Sequence, residues 1–405
     1  MKEKWIFEGL KIVDFTTGGV GPVTIRYFAD HGATVVKMES RLRPDLTRAF
    51  GPFKDARVDL DNSAWFPGYH ASKYGMTLNM ELPKAREIAW KLVKWCDVLA
   101  EGFSPGVMKR WGMDYESVRK AKPDIIYLST CQQGQYGPRA GFRGYGGQSS
   151  AMAGFFHLTG WPDRDPAFCP LAITDFITPR FNVIALAAAI DYWRRTGKGQ
   201  HIDSSQFEAG VTFLAPAVMD YFVNGRIEKR NGNRMPDAAP HAAYACQGAD
   251  RWVAIAVTSD GQWQAFCRVI GKPRWTRDPK FQTLLARKEN EDELNRLVEE
   301  WTKGRTAEEV MKLLQAAGVP AGVVQNYEDL FKDPQLKHRG YFVELNHPVV
   351  GPHTYERVPY KLSKSPQGPR WPGPVFGQHV EKVCTEFLGM SKDEMAALAE
   401  EGIFQ

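Results

Sequence analysis

The sequence predicts an α/β protein: a doubly wound, mostly parallel sheet domain joined to a smaller α+β domain. Three observations carry this. Strand-like apolar runs alternate with helical patterns from residue 10 to about 195. After Gly197-Lys198-Gly199 the alternation gives way to paired charged helices and isolated strands. At 405 residues, the chain also exceeds one ordinary domain. The first domain therefore reads as Rossmann-like, built from residues 1–224 with 331–405, and residues 225–330 form the smaller domain.

The elements follow in order. Residues 10–15 (LKIVDF) form a strand that ends in Thr16-Thr17-Gly18-Gly19-Val20-Gly21-Pro22. A helix over 23–30 and a strand over 34–39 complete a βαβ unit with a glycine-rich first turn. Those glycines lack the dinucleotide fingerprint spacing, so a nicotinamide cofactor is not indicated. Such a turn needs small residues, and it also lets a ligand approach backbone N–H groups. Arg41, Arg43 and Arg48 follow, with Asp45 among them, and read as a solvated loop.

Next come a strand over 76–80, a helix over 83–96 and a strand over 97–101. Gly102-Phe103-Ser104-Pro105-Gly106 opens a helix carrying Lys109 and Arg110. Residues 124–130 form another buried strand, and Arg143, Tyr145, Gly146 and Gly147 belong to a loop beyond it. In a sheet of this kind, ligands bind beyond the strands' carboxyl ends. A short strand at 200–204 leads to a helix over 207–222, then to a polar loop over 224–237. The smaller domain holds strands at 252–257 and 321–325 and helices over 291–301 and 306–317. The tail has a strand at 341–345, a Pro-rich arm at 364–374 and two final helices. An arm of that kind reaches a partner or returns to the first domain.

Composition narrows the function. With 43% hydrophobic and 24% charged residues, the chain is of ordinary globular type, and a net charge of +5 is too diffuse to argue for nucleic acid. The longest apolar run, 183–190, is short of a membrane span, and the first residues lack a signal-peptide core. Six cysteines lie scattered with no metal-ligand spacing, which suits reduced thiols in a cytoplasm. No metal or cofactor-attachment motif is present.

One carboxylate stands out. Leu171, Ala172 and Ile173 lead into Asp175, after which Thr178 and Pro179 read as the N-cap and first residue of a helix over 180–195. Phe181, Ile184, Ala185, Ala188 and Tyr192 recur at helical spacing, so that face is expected in the interior. Asp175 then sits on a tight turn at the positive end of a helix. It is either a structural cap or a nucleophile held at the mouth of a core.

The chain resembles the family III CoA-transferases, which include formyl-CoA:oxalate, carnitine and benzylsuccinate CoA-transferases, with the α-methylacyl-CoA racemases as relatives. The resemblance rests on 8–15 (EGLKIVDF) with Gly21-Pro22, on 32–39 (GATVVKME), on 97–106 and on 194–200 (RRTGKGQ). Gly351-Pro352 and Gly377-Gln378-His379 extend it into the tail. It covers nearly the whole chain, and the signatures occur in the family's order.

The resemblance implies that Asp175 is the catalytic aspartate. It also implies that Gly19, Val20, Leu78, Asn79, Met80, Gly102, Phe103, Arg110, Arg143 and Tyr145 contact coenzyme A. Arg41 lies beside a CoA-binding arginine position that this chain fills with Ser40. Gly19 replaces a glutamine of the formyl-CoA enzyme, and Asp237-Ala238-Ala239-Pro240-His241 replaces its glycine-rich lid, so oxalate is not the expected acceptor. Within the family the pattern is most similar to that of the benzylsuccinate enzymes, which implies succinyl-CoA as donor.

Coenzyme A thioesters are then substrates, with no permanently bound cofactor. The expected partners are an acyl-CoA, a free carboxylic acid and a second chain, identical or paralogous, in an interlocked dimer. Moving CoA between acids needs an ionised carboxylate, which Asp175 supplies, and N–H donors for oxyanions, for which Gly146–Gly147 and Ala238–Ala239 are candidates. His241 or Arg234 is a candidate acceptor-carboxylate contact. Nearby aromatic residues, among them Tyr136, Phe142 and Phe168, suit an acid larger than oxalate. Two alternatives stand: a 2-methylacyl-CoA racemase, whose relatives carry a histidine where this chain has Tyr145, and a silent subunit of a heteromer.

Overall fold

The computed structural model describes residues 4–169 and 172–405, so Leu171 lies outside the described residues. The chain divides into two units, one of residues 1–156, 168–227 and 338–405, the other of residues 157–167 and 228–337. Residues 157–167, which the sequence reading gives to the large domain, cluster with the smaller unit.

In the larger unit the order is β1 (Lys11–Phe15), α1 (Val20–Ala29), β2 (Thr34–Glu39), α2 (Trp65–His70), β3 (Tyr74–Thr77), α3 (Pro83–Trp95), β4 (Val98–Glu101), α4 (Val107–Arg110), α5 (Tyr115–Ala121) and β5 (Ile126–Cys131). Then follow α6 (Gly146–Met152), α7 (Phe155–Leu158), α8 (Ile173–Thr196), β6 (Gln200–Ser205), α9 (Gln206–Phe213) and α10 (Ala215–Asn224). The expected single helix over 207–222 is therefore two, broken at Leu214 ahead of Pro216.

The six strands are parallel in the order β3-β2-β1-β4-β5-β6. Alternation along each strand fills two cores. Val13, Phe15, Val36, Met38 and Tyr127 meet α3 on one face, while Ile12, Val35, Ile126 and Leu128 meet α1 and α8 on the other. The order reverses between β1 and β4, and their carboxyl ends converge there: a Cβ on Gly102 would stand 3.6 Å from Thr16 Cα. Gly21 is fixed by the same crowding, since its Cβ would lie 2.2 Å from that of Thr16.

Helix α8 departs from expectation twice. It begins at Ile173, with Ala172 as N-cap, so Asp175 occupies its first turn and Pro179 lies inside it. Its buried face is Thr178, Asn182, Leu186, Ala189 and Ile190, whereas Phe181, Ile184 and Tyr192 are exposed. The polar members of the buried face are satisfied internally: Asn182 Nδ2 donates to Thr130 Oγ1 at 2.9 Å, and Asn182 Oδ1 accepts from Ser204 Oγ at 2.5 Å. Among the described residues this is the one helix long and apolar enough to cross a membrane, but its packing against α1, α6 and α9 makes it a core helix.

The smaller unit carries β7 (His241–Ala245), β8 (Trp252–Ala256), α11 (Asp260–Val269), α12 (Leu284–Glu289), α13 (Glu291–Thr302), α14 (Ala307–Ala316), β9 (Ala321–Val323) and α15 (Tyr327–Lys332). Its antiparallel sheet, β7-β8-β9, packs one face on α11, α13 and α14 through Val253, Phe266, Leu294 and Val310. The chain then passes α16 (Pro334–Arg339) into an antiparallel pair, β10 (Phe342–His347) with β11 (Gly351–Glu356). The Pro-rich arm returns to its own sheet. Arg370 donates to Ser72 Oγ and to the Ala33 carbonyl, and Trp371 Nε1 donates to the Lys73 carbonyl at 3.1 Å.

Candidate active site

Asp175 lies on the side of the large unit where α6, α8 and α9 meet the first loop. Two glycines make room for its carboxylate. A Cβ on Gly146 would stand 2.1 Å from Oδ1, and one on Gly19 would stand 3.3 Å from Oδ2. Gly146 is fixed there by its own carbonyl, which accepts from Ser150 Oγ at 2.8 Å and from Thr174 Oγ1 at 3.1 Å. The sequence reading puts Gly146 and Gly147 in a loop; they instead open α6, after Tyr145 as N-cap.

Among the described residues the carboxylate of Asp175 has one side-chain partner, the Gln206 amide, whose Nε2 donates to Oδ1 and also to Thr174 Oγ1 at 2.9 Å. Among the described residues no cation pairs with it. Burial pushes its pKa up to about 6, against the Gln206 hydrogen bond, which lowers it. The group is thus ionised at neutral pH yet poorly solvated, the condition that makes a carboxylate reactive. A structural cap would instead be spent on backbone N–H groups.

Beside this site, beyond β1, β2, β3 and β4, opens a cleft of about 530 Å³. Leu78, Asn79, Met80, Phe103 and Tyr145 line it, together with Thr17, Ser40 and Arg43. Gly19, Val20, Gly102, Arg41, Arg110 and Arg143 do not line that cleft; the three arginines are exposed. Arg43 places its guanidinium on the cleft wall. Arg48, expected in a solvated loop, is buried: it grips Glu39 through two hydrogen bonds of 2.8 and 2.9 Å, and its guanidinium stacks on Phe66.

Buried charges fix the loops around the cleft. Lys37 pairs with Asp45 at 2.9 Å and donates to the Thr16 carbonyl. Lys73 pairs with Asp14 at 2.9 Å and donates to the Pro22 carbonyl at 3.0 Å. Burial disfavours ionised Asp45, yet Lys37 and His70 hold its pKa well below the ordinary range. Burial and the neighbouring Lys73 push His70 down to about 4, so it is neutral at physiological pH. On β4, Glu101 accepts from the Phe103 N–H at 2.8 Å and from Gln135 Nε2 at 3.2 Å; burial pushes it up to about 7.

His241 belongs to the smaller unit, where it lines a cleft of about 680 Å³. Its Nδ1–H donates to the Asn233 carbonyl at 2.6 Å. Arg234, in the same cleft, is paired with Asp292 and, at 3.7 Å, with Glu291. Ala238 and Ala239 are unavailable as oxyanion donors. Both are buried, and their N–H groups already serve Met235 and Val257 carbonyls. Among the described residues, no group of three or more His, Cys, Asp or Glu side chains is placed to hold a metal.

Sequence reasoning missed Gln206 and the Lys37–Asp45 and Lys73–Asp14 pairs. A signal existed for Gln206, which directly follows the carboxyl end of β6, on the ligand side of such a sheet.

The chain is similar to succinyl-CoA–D-citramalate CoA-transferase of Chloroflexus aurantiacus, 28% identical over 96% of each chain. It is 30% identical to succinate–glutarate CoA-transferase of Agrobacterium fabrum, over 93% of this chain and 94% of that one. A CAIB/BAIF family protein from Brucella suis has the same fold, with a TM-score of 0.87 and 32% identity over 95% of this chain and 100% of that one. Residues 7–380 match the model of CoA-transferase family III, and the chain belongs to that family.

Proposed function

We propose that the protein transfers CoA from succinyl-CoA to a second carboxylic acid, with Asp175 as the acyl carrier. The observation that carries the reading is the isolated, half-desolvated carboxylate of Asp175 between Gly19 and Gly146. Asp175 attacks the donor thioester, giving a mixed anhydride and CoA thiolate. The thiolate attacks the aspartyl carbonyl, releasing the donor acid and leaving an aspartyl-CoA thioester. The acceptor carboxylate then attacks that thioester, and the returning thiolate takes the acceptor's acyl group. No proton is transferred, so no general base is required. The 530 Å³ cleft takes the coenzyme, with Arg43 on its wall and Arg110 and Arg143 at the surface as phosphate contacts.

Succinyl-CoA as donor is supported by relatives whose names pair succinyl-CoA with citramalate, glutarate and mesaconate. For the acceptor we infer a branched or aromatic acid of the benzylsuccinate type. Exposed rings support this: Tyr145 and Phe142 precede Gly146, and Phe168 covers Gly147, where a Cβ would stand 3.1 Å from its ring.

We further infer a dimer of two such chains. The outward faces of α8 and α10 leave Ile184, Met219, Phe222 and Val223 exposed, an apolar surface that a second chain would cover.

A panel of free acids offered with succinyl-CoA, read by mass spectrometry of new CoA thioesters, tests the substrate reading. Thioesters of branched or aryl acids are expected. Exclusive use of oxalate or carnitine-like acids would contradict the acceptor class and leave CoA transfer standing.

A further inference from the structure

Asp175 has two chemically equal oxygens, but the structure treats them differently. Oδ1 faces Gly146 and receives the Gln206 amide; Oδ2 faces Gly19 and has no side-chain donor among the described residues. Gln206 is itself 5% exposed and is the first residue of α9, with Ser205 as N-cap. Its orientation is fixed independently of Asp175. Nε2 donates to Thr174 Oγ1, and the Thr174 hydroxyl in turn donates to the Gly146 carbonyl. Reversing the amide would set its oxygen against a carboxylate, so the donor is the group that faces Asp175.

We propose that Gln206 is a further catalytic residue, which holds Asp175 so that Oδ2 attacks the thioester and which stabilises negative charge on Oδ1 when the aspartyl carbonyl is itself attacked. The inference rests on Asp175 as the acyl carrier. In the first step a lone pair of Oδ2 bonds to the thioester carbon, and the C–S bond breaks with its electrons on sulfur. In the second, the thiolate bonds to Cγ of Asp175 and the carbonyl pair moves onto Oδ1. Collapse restores the Cγ–Oδ1 double bond and breaks Cγ–Oδ2, so the donor acid leaves with Oδ2. Before attack, the carboxylate charge is shared by two oxygens. In the tetrahedral state of the second step, Oδ1 carries it alone, and the Gln206 hydrogen bond is strongest there. The acceptor half-reaction runs through the same state in reverse.

Among the described residues no charged side chain contributes to the Asp175 shift, and a titratable neighbour that feels its charge is the half-buried Tyr69 phenol of α2, which also feels Arg180.

Two variants of the full-length protein test the proposal. Gln206→Leu removes the donor at similar volume; Gln206→Met keeps the length of the side chain and likewise cannot donate. Each is checked for folding by thermal melt, then assayed with succinyl-CoA and the best acid of the panel. In Gln206→Leu, kcat should fall on the order of 100-fold. Its KM for acyl-CoA should stay within about twofold, because a group acting only in the transition state leaves ground-state binding alone. The acid limb of kcat/KM, expected near pH 6, should move upward, since a donor that favours the ionised form is lost. Gln206→Met should be similarly impaired. A folded Gln206→Leu enzyme with wild-type kcat and an unmoved acid limb would overturn the proposal, as would a Gln206→Met enzyme of wild-type rate, which would make the role one of shape. Hydroxylamine trapping on the wild type separates the two readings. Modification of Asp175 with no effect of either variant defeats the Gln206 role alone, whereas absence of modification at Asp175 defeats both.

Discussion

Gly146→Ala is the substitution in which sterics and chemistry meet most directly. The new Cβ would stand 2.1 Å from Asp175 Oδ1, 2.5 Å from its Cγ and 2.6 Å from Ala172 Cβ. Non-bonded contact is comfortable at roughly 3.5 Å, so the carboxylate and α6 must separate by more than about 1 Å. Rotation of the carboxylate gives no relief, because Cγ and the backbone-borne Ala172 Cβ crowd the same point. Overpacking of this kind costs roughly 1–3 kcal/mol of stability. A misplacement of about 1 Å at a reacting group costs on the order of 100-fold in rate. The assay is steady-state CoA transfer beside a urea melt, with Gly141→Ala as control, since a Cβ there meets nothing within 4 Å. Gly19→Ala, at 3.3 Å from Oδ2, should fall between the two. A Gly146→Ala enzyme within threefold of wild-type kcat would refute the placement of Asp175 against α6.

The other predictions follow from burial and charge. Asp175 has a folded pKa of about 6 against an ordinary 3.8, so the folded state holds the proton more tightly and stability falls as pH rises from about 4 to 6. Above pH 6 the full cost is present, about two units or on the order of 3 kcal/mol, so Asp175→Asn should be inactive yet more stable than wild type at pH 8, with the gain vanishing near pH 4 in thermal melts. The acid limb of wild-type kcat/KM should lie near pH 6, and a limb near pH 4 would contradict the desolvated site. Lys37→Met should cost roughly 3–5 kcal/mol in urea titration, because Asp45 is left charged and buried. Phe222→Glu with Ile184→Lys should shift the mass in light scattering from dimer to monomer; an unchanged mass would place the contact elsewhere.

Much of the parallel sheet was legible because its strands are buried on both faces and read as apolar runs: 10–15, 34–39 and 124–130 lie within a residue or two of β1, β2 and β5. Helix α8 was legible as a helix but not in its orientation. Apolar periodicity selects the stripe through Phe181 and Ile184, whereas the buried stripe holds Thr178 and Asn182, whose polarity is cancelled by partners on β5 and β6 that lie far away in sequence. Arg48 misled for the same reason, since its carboxylate partners, Glu39 and Asp61, cannot be paired with it from spacing alone. The Asp175 position was legible as a carboxylate at a helix start. The closeness of Gly146 and Gln206 was not, because it arises from α6, α8 and α9 meeting across 60 residues of chain. Strand β7 went unread because His241-Ala242-Ala243-Tyr244-Ala245 is alanine-rich and lacks β-branched residues.

The central claim, that Asp175 carries the acyl group, has an isotopic signature. When the acceptor carboxylate attacks the aspartyl-CoA thioester and thiolate then removes the acceptor's acyl group, one acceptor oxygen stays on Asp175. Wild-type enzyme is first charged with succinyl-CoA, then given acceptor acid labelled with ¹⁸O in both carboxylate positions, quenched after a single turnover and digested for mass spectrometry. The account predicts one ¹⁸O on the peptide containing Asp175, located at that residue by fragmentation. Efficient transfer with no label on Asp175, or with the label on another carboxylate, would contradict it.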